Sequence, residues 1–254
     1  MDARVTYKNF AQFYDLYTKD FQADIFLYKA LSKDCTDILE VGCGTGRVLK
    51  ELVAGNKIIT GVDISKEMLE IANKKLKTSI LDKSIILLEH DFSFNSMKQK
   101  YDICLITWYT FNYIFDNAVI FLRNVLDSLH KGAPIVLDMF YPQALKHPEI
   151  NNKWVEKEIY LENKKYLVKD KRTFANNIEQ RIQIFEVEKE NVEIITHRLY
   201  YSKADMQNKL LEAGFSEISF IENYDLSTLH TLGMNEKTDD NYICIAKNAP
   251  PIDG

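Results

Sequence analysis

The 254-residue sequence predicts a doubly wound α/β fold, a mostly parallel sheet of seven strands covered by helices on both faces. Three observations predict it. Short apolar runs alternate with helical stripes through the first half of the chain, a glycine-rich turn stands at the first strand-to-helix crossing, and the same alternation returns after residue 202. Between the two α/β stretches the periodicity changes to two, which predicts an inserted antiparallel β lid.

A helical opening leads to the run Asp37-Ile38-Leu39-Glu40-Val41, which is apolar, short and stopped by Gly42-Cys43-Gly44-Thr45-Gly46, as expected of a buried strand entering a tight turn. Val48, Leu49, Leu52 and Val53 recur at helical spacing, and Gly55-Asn56 ends that helix before the second strand, Lys57 to Asp63. Ser65 is placed to cap a helix striped by Met68, Leu69, Ile71, Ala72 and Leu76. Strands are expected at Ile85 to Leu88, Tyr101 to Thr107 and Ile135 to Met139, with a helix from about Ala118 to Leu129.

From Lys153 to about Tyr201 the segments Glu158 to Leu161, Tyr166 to Lys169, Arg181 to Glu188 and Val192 to Tyr200 alternate apolar with polar residues. Asn163-Lys164, Asn176-Asn177 and Glu190-Asn191 fall where hairpin turns are needed. A helix from Lys203 to Ala213, stopped by Gly214, and strands near Ser216 to Tyr224 and Tyr242 to Lys247 complete the sheet. The expected organisation is one α/β domain from residues 1–152 and 202–247, an insert at 153–201 and a frayed tail at 248–254. The inserted strands are also where a homodimer would form.

The formal charge of −5 leaves no surplus of Lys and Arg to exchange for phosphate counterions, which argues against a nucleic-acid partner. The 4 cysteines lie far apart without CxxC spacing, so neither a zinc site nor a disulfide scaffold is expected, no metal is called for, and reduced thiols fit a cytoplasmic location. The charged N-terminus lacks the apolar core of a secretory signal, and no uncharged apolar run reaches membrane-spanning length.

Chemistry concentrates at Glu40-Val-Gly42-Cys43-Gly44-Thr-Gly46. Glycines there permit positive φ and let a ligand approach the backbone, while the amides that open the following helix favour an anionic group. A dinucleotide-binding turn requires a third glycine where Arg47 stands. The G-x-G-x-G form preceded by an acid instead resembles motif I of the class I S-adenosylmethionine-dependent methyltransferases, a Rossmann-like family. The resemblance covers residues 36 to 140 and, more loosely, 203 to 247.

That resemblance implies S-adenosyl-L-methionine as cofactor, released as S-adenosyl-L-homocysteine. It places Asp63 on the ribose hydroxyls, Ile64 against the adenine and the Asp91 of His90-Asp91-Phe92 on the adenine amino group, with Met68 and Phe92 also among the cofactor-binding residues. Thr107 and Trp108 match the motif next to the methyl donor. Phe10 to Tyr17 resembles the aromatic opening of sugar N- and glycine N-methyltransferases, where Tyr14 or Tyr17 would reach the cofactor. The expected activity is methyl transfer to a nitrogen or oxygen of a small-molecule acceptor, with Tyr14, Tyr113 and His197 as candidate catalytic groups. A regulator that binds the cofactor without turnover and an NAD-dependent oxidoreductase are the alternative readings.

Overall fold

The computed structural model describes residues 10–11, 13–15, 18, 21–161, 164–187, 190–222, 224–231 and 241–248. In chain order, the first half runs α1 (Ala23–Leu31), β1 (Asp37–Val41), α2 (Arg47–Leu52), β2 (Ile58–Asp63), α3 (Lys66–Lys75), α4 (Lys77–Leu81), β3 (Ile85–Glu89), β4 (Ile103–Ile106), α5 (Ala118–Leu126) and β5 (Pro134–Met139). A short α6 (Gln143–Lys146) leads into β6 (Trp154–Leu161), β7 (Lys164–Ala175), β8 (Ile178–Val187) and β9 (Glu190–Leu199). The chain returns through α7 (Lys203–Ala213), β10 (Glu217–Glu222), β11 (Asp225–Thr231) and β12 (Tyr242–Lys247).

The main sheet has the order β11-β10-β12-β5-β4-β1-β2-β3. Strands β5, β4, β1, β2 and β3 are parallel, the first four with almost wholly buried apolar sequences and β3 half-exposed at the edge, and β12 inserts antiparallel between β5 and β10. The seven expected strands are all present. An eighth, β11, pairs antiparallel with β10 at the edge and was not anticipated. On one face α5 and α7 bury Phe121, Leu122, Val125, Met206 and Leu210. On the other, α1 and α2 bury Leu27, Tyr28, Val48 and Leu49 beside Ala72 of α3.

Helix limits follow local chemistry. Ser65 Oγ accepts the Met68 amide at 3.3 Å to start α3, and Ser202 with Asp205 forms a reciprocal capping box on α7 that Gly214 ends in a left-handed conformation. The helical stretch expected to run to the break at Asp82-Lys83 is divided into α3 and the separate α4. The fourth strand is shorter than expected, with Tyr101 contributing only a lone bridge to Leu129.

Strands β6 to β9 form a second, wholly antiparallel sheet. The β7–β8 turn uses Asn176 and Asn177 at φ 50° and 62°, a two-residue hairpin for which Asn tolerates the left-handed region. The apolar end of its inner face, Val168, Phe185 and Ile194, closes over Phe10, Phe13 and Met68, with the Phe13 and Phe185 rings stacked 4.3 Å apart. The N-terminal helical residues are therefore sandwiched between this sheet and α3. Among the described residues no helix is long and apolar enough to cross a membrane.

Candidate active site

The strand order reverses between β1 and β4, the place where an open α/β sheet leaves a crevice beyond its carboxyl ends. After Val41 the chain turns through Gly42, Gly44 and Gly46, all at positive φ. The three glycines serve different needs. A Cβ on Gly42 would lie 2.4 Å from the Thr110 side chain and one on Gly46 would lie 2.5 Å from Leu76 Cδ1, so these two admit close packing. Gly44, at φ 54°, faces open space bounded by the Tyr14 ring 3.8 Å away.

Asp63, at the end of β2, ties this turn to the next crossing. Its Oδ2 accepts the Gly44 amide and its Oδ1 the Ser65 amide, each at 2.8 Å. Burial raises the Asp63 pKa and these amides oppose the rise. Each oxygen retains a lone pair towards the crevice, so the carboxylate can brace the turn and still accept from a ligand hydroxyl.

Behind the turn, Thr107 donates to Glu40 Oε1 at 2.8 Å, and burial pushes Glu40 up to about 8. The chain then passes through Trp108 and Tyr109 at φ 49° and 64°, two consecutive bulky residues in the left-handed region, an arrangement that persists only where surroundings impose it. Asp138, at the end of β5, supplies that constraint by accepting the Trp108 amide at 3.1 Å and hydroxyls from Tyr28 and Tyr224. Arg47, paired with the fully buried Asp24, lies over the Trp108 ring at 5.0 Å. The residue that departs from the dinucleotide pattern thus supports the strained tryptophan.

Burial pushes Asp138 up to about 7. Because Asp138 and Glu40 hold protons more tightly folded than unfolded, their stabilising proton is fully in place below the ordinary carboxylate value of about 4 and is lost as pH rises through about 7 and about 8. Melting temperature is expected to fall between about pH 4 and about pH 8, and Asp138→Asn to fall less steeply over that interval. Parallel curves for the two proteins would contradict the assignment.

A cavity of about 350 Å³ opens along the carboxyl edge, within the range of small-molecule sites. Of the residues marked from sequence, Tyr14, Gly42, Gly44, Asp63, Ile64, Met68, Asp91, Phe92 and Trp108 line it, as does Tyr113. Glu40, Cys43, Gly46 and Thr107 do not line it and act from beneath: Glu40 and Thr107 bond each other, Cys43 is buried in the α2 face of the core, and Gly46 packs on Leu76. Tyr17 lies outside the described residues. A second cavity, of about 230 Å³, lies between the main sheet and the antiparallel sheet, and Tyr14, Trp108 and Tyr113 line both.

His197 requires a correction. In β9 the residues Ile194, Thr196 and Arg198 face inward, so strand alternation turns His197 to the opposite face, where its Nε2 meets the Gln180 amide nitrogen at 3.0 Å. It lines neither cavity. Asn112 is a fully buried clamp: it donates to the Leu199 carbonyl at 2.7 Å and accepts the Phe140 amide at 2.9 Å, joining the two sheets beside the site. The charged lining of the second cavity, Arg172, Arg181 and Arg198, also escaped the sequence reading, since charges in an alternating strand ordinarily face solvent.

Residues 38–132 match the family model described as a methyltransferase domain, and the fold is shared with solved methyltransferases. Among solved structures, an S-adenosylmethionine-dependent methyltransferase from Clostridium acetobutylicum superposes with a TM-score of 0.75 at 20% identity, covering 96% of this chain and 99% of that one. The sugar N-methyltransferase KedS8 from a Streptoalloteichus species gives 0.71 at 15% identity, covering 94% and 92%. An uncharacterized methyltransferase from Bacillus mycoides is 28% identical over 134 residues, 52% of this chain. The chain spans 60% of the length of that curated relative.

Proposed function

We propose that the chain is an S-adenosylmethionine-dependent methyltransferase that alkylates a nitrogen or oxygen of a small-molecule acceptor. The observation that carries this reading is the pair of cavities meeting at Tyr14, Trp108 and Tyr113. One cavity has the features of a cofactor site and the other is enclosed by the antiparallel sheet, so a methyl group crossing the shared wall would leave one ligand and reach the other.

The residues fit the cofactor. Gly44 leaves its side of the crevice free of a side chain, Asp63 presents an acceptor suited to ribose hydroxyls, and Ile64, Met68 and Phe92 supply apolar walls for a purine. The bound cofactor supplies a sulfonium-activated methyl: its S–C bond breaks as a new C–N or C–O bond forms, and the acceptor's proton passes to solvent. The chain's contribution is chiefly positioning. Burial holds the Tyr14 hydroxyl well above its ordinary pKa, so at neutral pH it remains an O–H donor that orients the acceptor and does not serve as a base. We read residues 153–201 as an insert that encloses the acceptor and 1–152 with 202–247 as the catalytic domain.

The test is incubation with S-adenosylmethionine and a panel of small amines and alcohols, followed by mass spectrometry for acceptors gaining one methyl. Turnover supports the proposal. Cofactor binding without turnover across the panel would favour a regulator, and absence of cofactor binding would end the reading. For an accepted substrate, Tyr14→Phe is expected to lower kcat by about tenfold to a hundredfold, the scale of lost positioning, with the cofactor Kd little changed. An unaltered kcat would remove Tyr14 from the reaction.

A further inference from the structure

We infer that the second cavity binds an oxyanion carried by the acceptor, a carboxylate or a phosphate, through Arg172, Arg198 and Gln183. This rests on the methyltransferase reading and specifies its substrate class. Register across the antiparallel sheet brings the donors together. Arg172 pairs with Arg181 and Arg181 with Thr196, while Asp170 pairs with Gln183 and Glu179 with Arg198, all on the inward face. That face is apolar where it covers Phe13 and Met68 and charged where it covers the cavity.

The charges on this face do not balance. Arg181 donates its Nε to Asp170 at 3.0 Å, and Arg198 pairs with Glu179. Arg172 reaches Asp170 only at 3.7 Å, beyond hydrogen-bond range. Among the described residues of this face three guanidinium groups therefore face two carboxylates, and no described Asp or Glu lines the cavity. Burial and the neighbouring Arg181 charge hold the Arg172 pKa below the ordinary arginine value, as expected of a cation short of counter-charge.

Two buried donors in the same wall also lack partners. Gln183 is 1% exposed and Arg198 6% exposed, yet among the described residues Gln183 Nε2 and Arg198 Nε have no hydrogen-bond acceptor. Leaving such donors buried is unfavourable, and an incoming oxygen satisfies them. Arg198 is further fixed by the Phe140 ring, 3.7 Å from its guanidinium carbon, so its donors are already oriented. Two guanidinium groups and an amide N–H donor around one cavity are the chemistry that recognises a carboxylate or phosphate.

Trp108 lines both cavities, and the only other tryptophan, Trp154, sits half-exposed on β6. Trp154→Phe leaves Trp108 as the sole indole and does not touch either site. In that protein saturated with S-adenosylhomocysteine, inorganic pyrophosphate and succinate are titrated separately while Trp108 fluorescence is followed, with sodium chloride at equal ionic strength as reference. Saturable binding of at least one anion is expected, weakened about tenfold or more by Arg172→Met, partly restored by Arg172→Lys, and weakened by Gln183→Leu. A response to pyrophosphate alone assigns a phosphate-bearing acceptor, and to succinate alone a carboxylate-bearing one.

No saturable response to either anion beyond the chloride reference overturns the inference. So does undiminished binding in both Arg172→Met and Gln183→Leu, whose folding is checked by circular dichroism. S-adenosylhomocysteine affinity is expected to be unchanged in all variants. Failure of S-adenosylhomocysteine itself to bind the parent protein would instead count against the methyltransferase reading, which keeps the two failures apart.

Discussion

Gly44→Val is expected to abolish S-adenosylmethionine binding while the protein stays folded. The glycine sits at φ 54°, where a β-branched residue is strained by about 1 to 3 kcal/mol, and its Cβ position faces the cavity with only the Tyr14 ring nearby at 3.8 Å. That strain is small beside the stability of a typical domain, about 5 to 15 kcal/mol, so the fold should survive. The valine methyls, however, would occupy the space a ligand needs to approach the turn. Calorimetry that finds retained affinity, with an unchanged circular dichroism spectrum, would mean the turn is not part of the cofactor site. Gly42→Ala should behave differently, because its new methyl would meet Thr110 at 2.4 Å and displace the loop itself.

Asp63→Ala has the next largest expected effect and acts in two ways. It removes an acceptor for ribose hydroxyls, weakening binding by about 1 to 3 kcal/mol, the scale of a lost charged hydrogen-bond partner. It also frees the Gly44 and Ser65 amides that the carboxylate holds at 2.8 Å, so the melting temperature should drop together with affinity. Asp63→Asn offers only one acceptor oxygen and is expected to fall between the two. An unchanged dissociation constant in Asp63→Ala would withdraw the ribose assignment.

The central sheet was legible because its strands are buried on both faces and read as continuous apolar runs broken by glycine, a pattern with few alternatives. The crevice was legible for a related reason: Gly42, Gly44 and Asp63 are required by backbone geometry and ligand approach at fixed places in a βαβ unit. Sequence could not reveal which glycine faces the cavity and which two accommodate Thr110 and Leu76, since those contacts come from distant elements. The support for Trp108 is hidden likewise, as Asp24 and Tyr28 lie far in the chain from Asp138 and from Trp108 itself.

The antiparallel sheet was read least well, and for a physical reason. Strand β7 extends to Ala175, past the expected end at Lys169, because Asp170 and Arg172 are inward residues, Asp170 paired with Arg181 of β8 and Arg172 turned to the second cavity. Alternation alone assigns such residues to solvent and cannot decide whether His197 or Arg198 faces the second cavity. Two-sided polarity in a strand hides its buried face. The edge strand β11 was missed because a short run against a single neighbour carries little apolar signal.

A crystal structure with S-adenosylhomocysteine bound tests the central claim most directly. The account predicts one ligand per chain at the carboxyl ends of β1 and β2, its ribose hydroxyls on Asp63, its backbone approach at Gly44 and its sulfur directed towards Tyr14, Trp108 and Tyr113. A ligand found away from the Gly42–Gly46 turn, or a ribose without contact to Asp63, would contradict it.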